Sequence, residues 1–236
     1  MLNAPSLLRH LLCVSLLTSG IAWAANEELD ELRASDSNEW QQVKNDKYHH
    51  IKTWSKREDG KRIRSFKVEA VMDSSLEAIA RATFDFENYP RWYFKMKQSK
   101  VLKQVSPTEV YFYQVFSAPP GLPDRDVVVH LNIDPYSPRR GYFRLNIAAA
   151  PDYLPPQPGL VRMPGFNMTT TYTPLPESKW KLDVEGYIDP GGTAPTWATN
   201  YVQRNAPYQV LLGLQRVSSS EEYTQSKKPM SLKYME

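Results

Sequence analysis

Between residues 48 and 189, apolar and polar residues alternate through one short run after another, the period-2 pattern of strands that bury one face. Tyr48 to Lys56 reads as a strand, Glu58-Asp59-Gly60-Lys61 as a hairpin turn, and Arg62 to Met72 as its partner, with Phe66, Val68, Ala70 and Met72 facing one way. Further runs span Ser99 to Ser106, Glu109 to Phe116, Arg125 to Asp134, Tyr142 to Ala150, Phe166 to Pro174 and Lys179 to Asp189. Their inward sets are Val127, Val129, Leu131 and Ile133; Phe143, Leu145 and Ile147; Phe166, Met168, Thr170 and Tyr172; and Trp180, Leu182, Val184 and Ile188. Short links such as Ser106-Pro107-Thr108 predict an antiparallel meander, and a sheet with one apolar side needs a cover.

Helical spacing supplies candidates for the cover. Asp73-Ser74-Ser75 caps a helix through about Phe84, and Leu29, Leu32, Trp40 and Val43 give a helical rhythm to residues 26–46. After the turn Asp189-Pro190-Gly191-Gly192 a long helix begins at Thr193 and runs to Val217. At 100° per residue Trp197, Tyr201, Tyr208 and Leu212 fall within an arc of about 60°. Pro207 lacks the N–H that would meet the Gln203 carbonyl, which predicts a kink or local opening. A hinged helix over an apolar sheet reads as a lid on a cavity. Two proline-rich loops, 117–124 and 151–165, are expected to flank its opening.

Residues 1–24 change the compartment. Arg9 and His10 precede an apolar run from Leu11 to Ile21, shorter than the about 20 residues a bilayer span needs, and Ala22-Trp23-Ala24 offers a small-x-small cleavage site. The segment reads as a secretory signal of bacterial type, so the mature chain starts near Ala25 and its destination is the periplasm. The single cysteine, Cys13, lies inside it, which excludes disulfides, thiolate chemistry and cysteine-based metal sites from the mature chain. Net charge is +3, too small an excess for a nucleic-acid partner. A local basic cluster, Lys52, Lys56, Arg57, Lys61, Arg62 and Arg64, suits either a solvated strand face or transient contact with anionic lipid headgroups.

Little reactive chemistry remains. His49 and His50 are adjacent in a strand and point to opposite faces, His130 falls on a polar face, and no nucleophile, phosphate-loop or zinc motif occurs. No metal or other cofactor is expected. Asp124-Arg125-Asp126 is the one compact charged group beside an apolar strand: the arginine either locks the preceding loop or meets a polar ligand headgroup.

Several of these pieces together resemble the START (StAR-related lipid-transfer) domains of the helix-grip, or Bet v 1-like, superfamily. They are Tyr89-Pro90-Arg91-Trp92 followed by Val101-Leu102, Pro123-Asp124-Arg125-Asp126-Val127, Gly159-Leu160-Val161-Arg162, and Asp189-Pro190-Gly191-Gly192 with Pro195, Trp197, Asn200 and Pro207. The resemblance covers about Arg62 to Val217. It implies a curved antiparallel sheet gripping a long C-terminal helix, with a hydrophobic tunnel for one lipid or sterol. Arg125 matches the family's Arg-Asp pair, and Trp197 to Leu212 its lid helix. Some members carry a further buried arginine on the next stretch. Here it reads Val127-Val128-Val129-His130-Leu131, which leaves the ligand class open.

The expectation is therefore an α+β helix-grip protein: signal 1–24, N-terminal helical segment 25–47, START-like domain 48–217 and a polar, loosely ordered tail 218–236. Ligand contacts are expected from Arg125 and from Phe143, Leu145, Met168, Tyr172, Leu182 and Val184, under a roof of Trp197, Tyr201, Tyr208 and Leu212. The expected partner is a lipid or other hydrophobic small molecule, bound without covalent chemistry. Two alternatives stay open. One is a cyclase or hydrolase on the same fold, with Tyr172 or Thr170 as the inward acid–base group. The other is an interaction module with a filled core.

Overall fold

The computed structural model describes residues 38–236; residues 1–37, and with them the secretory signal and the start of the expected N-terminal helix, lie outside the described residues. The described part of that helical segment is a strand, β1 (Gln41–Asp46), paired antiparallel with β2 (Ile51–Lys56). The Asp46 carboxylate overrides the helical spacing by accepting the backbone N–H groups of Tyr48 and His49, both at 3.0 Å. That closes a tight turn and sends the chain back along itself.

The remaining elements are β3 (Ser65–Met72), α1 (Leu76–Phe84), a 3-10 helix (Phe86–Arg91), β4 (Met96–Ser106), β5 (Glu109–Phe116), β6 (Arg125–Asp134), β7 (Phe143–Ala149), β8 (Val161–Arg162), β9 (Gly165–Pro174), β10 (Trp180–Asp189), α2 (Thr196–Ser218) and α3 (Glu221–Thr224). The strands form one sheet in the order β1-β2-β3-β10-β9-β7-β6-β5-β4, antiparallel throughout, with β8 added to β6 in parallel. Edge strand β4 carries three register breaks and a row of lysines, which spoil it as a template for another chain. The inward sets meet in one core with both long helices.

Under α1 the grip is solid. Ser75 caps α1 by accepting the Ala78 N–H, and its apolar side packs on rings that interlock: Phe84 on Phe143 at 6.2 Å, Phe143 on Tyr172 at 5.2 Å and Phe86 on Phe112 at 4.5 Å. Helix α2 crosses the sheet and passes Pro207 without a break. Its helical turns begin at Thr196, after Pro195 rather than at Thr193, and no side chain caps it.

The second half of α2 is fastened. Gln215 Nε2 donates to the carbonyls of His49 and Val71 at 2.9 and 2.7 Å, and Ser74 Oγ lies 2.9 Å from Ser219 Oγ. Gly213 passes so close to the Trp92 carbonyl that a Cβ there would sit 2.6 Å from its oxygen.

The C-terminal tail is a strap and not a loose end. Tyr223 and Leu232 are buried, the Tyr223 hydroxyl donates to Asp85 at 2.7 Å, and Lys233 N donates to the Pro107 carbonyl. Backbone bonds in both directions tie Tyr136 to Tyr234 and Glu236. The apolar anchors are few and spaced among charges, so the stretch reads as polar although it packs.

Candidate ligand-binding cavity

Beyond the end of the sheet that α1 covers, the grip is hollow. Small side chains on the first half of α2, Ala198, Val202 and Ala206, face Phe66, Phe116, Met163, Phe166, Met168, Val184 and Ile188 across a cavity of about 180 Å³. The wall is overwhelmingly apolar. Loop 117–124 contributes Pro119 and Leu122 to it, and Phe94 packs against Tyr201 at 6.3 Å at the rim. Tyr93 also lines it, its phenol pushed far above the ordinary tyrosine range by burial.

Arg125 enters this apolar space. It is the first inward residue of β6, only 7% exposed, and its guanidinium donates to the Pro123 carbonyl, with no carboxylate of the described residues within ion-pair reach. Burial lowers its pKa, with Asp124 opposing the shift. The two flanking carboxylates have other partners. Asp124 accepts Lys97 Nζ at 2.6 Å and the Ala118 N–H at 3.0 Å, which latches loop 117–124. Asp126, on the outer face, is fully buried under Arg162, which donates to both its oxygens at 3.1 and 2.9 Å, and under the Tyr113 hydroxyl at 3.0 Å. Arg162 also donates to the carbonyls of Pro151 and Leu154, clasping the second proline-rich loop to the back of the sheet. Leu154 and Leu160 of that loop therefore cover Tyr113, Val115 and Val128 on the outer face instead of flanking the opening.

Of the residues expected to touch a ligand, Arg125, Met168 and Val184 line the cavity. Phe143, Leu145, Tyr172 and Leu182 face inward as expected but lie in the packed half of the core, each at most 3% exposed. Burial pushes the Tyr172 phenol up to about 12, and Thr170, 7% exposed, is likewise absent from the cavity lining, so neither offers acid–base chemistry to its contents.

The aromatic roof needs correction. Trp197 and Tyr201 are 58% and 45% exposed, and Tyr208 turns toward β1, where its hydroxyl donates to Asp46 at 2.6 Å and Lys44 Nζ lies 3.3 Å from its ring centre. Leu212 packs on the core away from the cavity. The stripe lies roughly 110° around α2 from the small residues that do form the roof. Just past the wall, at the next inward positions after Ser55 and Phe116, Thr53 Oγ1 and Gln114 Oε1 are buried with no hydrogen-bond partner among the described residues.

This architecture has close structural counterparts. A STAR-related lipid transfer protein fragment from Xanthomonas axonopodis superposes with a TM-score of 0.69 at 25% identity, over 77% of this chain and 99% of its own. The chain has the fold of the START lipid-transfer domains. Human StAR-related lipid transfer protein 5 shares the START fold at 15% identity and a TM-score of 0.64, over 85% of this chain and 95% of its own. An uncharacterised protein of Pseudomonas aeruginosa is 21% identical over 207 residues, 88% of this chain and 96% of that protein. No family profile matches the sequence.

Proposed function

We propose that the protein is an exported carrier that holds one hydrophobic molecule with an acidic end in this cavity, without covalent chemistry. The observation behind the reading is a buried guanidinium, with no carboxylate partner among the described residues, at the wall of an otherwise apolar hollow. A buried charge left unpaired costs stability, and a carboxylate or phosphate would satisfy its planar fork with two parallel hydrogen bonds. Burial of the apolar remainder contributes about 0.8 kcal/mol per methylene. The names of the Xanthomonas and human structures, both lipid transfer proteins, favour a lipid-like ligand.

In this reading the first half of α2 is the lid. Gln203 Nε2 bonds it to the Arg64 carbonyl at 3.2 Å, and Pro207 leaves the Gln203 carbonyl without its usual helical donor. Exposed Trp197 and Tyr201, the latter against Phe94, would meet a lipid surface when the lid opens. Residues 1–24 would deliver the protein to the periplasm.

Native mass spectrometry of protein purified from the periplasm, followed by solvent extraction, is expected to release one small apolar acid per chain. Ala206→Phe, which fills the cavity, should abolish uptake. Arg125→Leu should weaken acidic ligands ten- to a hundred-fold, about 1.5–3 kcal/mol, while raising Tm because it removes an unpaired buried charge. Unchanged affinity in Arg125→Leu would remove the anchor. A protein that is empty and takes nothing from vesicles would remove the carrier.

A further inference from the structure

We infer that the cavity is built for a short ligand, a single acyl chain of about six to eight carbons or one ring bearing a carboxylate, and that the packed core behind it sets this limit. The inference rests on the carrier reading above. The hollow measures about 180 Å³. A methylene needs about the space of a water in the liquid, about 30 Å³, so about six such groups fill it; a cavity of about 150 Å³ accepts a benzene. Pockets for larger ligands begin at about 300 Å³.

The floor explains why the hollow stops where it does. Along β10, Ile188 and Val184 face the cavity, but the next inward residue, Leu182, is 1% exposed and belongs to the solid core. Along β9 the lining ends at Met168, and Tyr172 packs tilted on Phe143, which Phe84 meets edge-on from α1. On β6 only Arg125 reaches the space, and Val127 behind it is fully buried. Close-packed rings do not yield volume without leaving their rotamers. A ligand whose acid end is held at Arg125 therefore has one direction to run and a fixed distance to run in. Extra methylenes either stay outside or draw the head away from the guanidinium.

The test uses the full chain and saturated fatty acids from butanoate to hexadecanoate, each below its micelle concentration, with affinities from calorimetry. Affinity should rise about fourfold per methylene up to about octanoate and then stay flat or fall. A rise continuing to hexadecanoate would overturn the limit. Failure of every acid to bind would instead overturn the carrier reading. Leu182→Ala, which lowers the floor, should move the break toward longer chains. An unmoved break in a folded Leu182→Ala protein would show that the floor does not set the length, and the wild-type series decides the limit whatever that variant's stability.

Discussion

Arg125 and Asp126 are neighbours with opposite surroundings, because successive side chains of a strand point to opposite faces of the sheet. The arginine turns into an apolar hollow, and the aspartate turns outward and is sealed beneath Arg162 and Tyr113. Sealing has energetic weight: the Tyr113 phenol is pushed up to about 12, first by burial and then by its bond to Asp126. Removing Arg162 would strand a fully buried carboxylate and release the loop whose carbonyls it holds. Arg162→Met is expected to cost about 3–5 kcal/mol in urea unfolding, and the simultaneous Asp126→Leu, Arg162→Met pair much less, since no charge is then left alone. Equal losses in the single and double variants would show that the clasp acts through packing. Both residues stand in motifs visible in the sequence, but nothing in the order of residues pairs position 126 with position 162. The parallel bridge of β8 to β6 does that.

At the scale of elements, α2 shows what side-chain patterns carry and what they do not. Gly213 is a poor helix former, yet it lets the helix pass the Trp92 carbonyl. Gly213→Ala gains about 1 kcal/mol of helix propensity but must push the helix off the 3-10 segment, so a net drop in Tm is expected, and a rise would mean the contact is dispensable. The strands were legible almost residue by residue, because Val127, Val129, Leu131 and their counterparts bury one face and leave a period-2 record. The helix was not. Its largest apolar residues formed a stripe that suggested a roof, whereas the real roof is Ala198, Val202 and Ala206. A hollow is recorded as missing bulk, and alanines in a helix read as ordinary propensity. β1 departs from its residue pattern for a related reason: Trp40 and Val43 fit helical spacing, while the turn made by Asp46 decides the local structure.

Across the molecule, the solid half and the hollow half are held by different parts of the chain. The strap of residues 221–236 adds Tyr223, Leu232 and Tyr234 to the solid half and lines no part of the cavity. Truncation after Ser220 should therefore cost several kcal/mol, from about 1.5–3 kcal/mol per large apolar side chain exposed, and lower Tm by about 2–4 °C for each kcal/mol. Ligand uptake well below the new Tm should survive. Calorimetry beside a binding assay would separate the two, and loss of uptake with Tm unchanged would contradict this division.

The position of α2 after every strand has a consequence for synthesis. As a ribosome delivers the chain, the inner face of the sheet emerges first and its central cover nearly last. At about 5–20 residues per second, the part of the apolar face that α1 does not cover waits through the making of the final helix and strap. A nascent chain of this topology exposes that surface until α2 arrives, and its yield should depend on the supply of holding factors more steeply than that of a domain whose helices alternate with its strands.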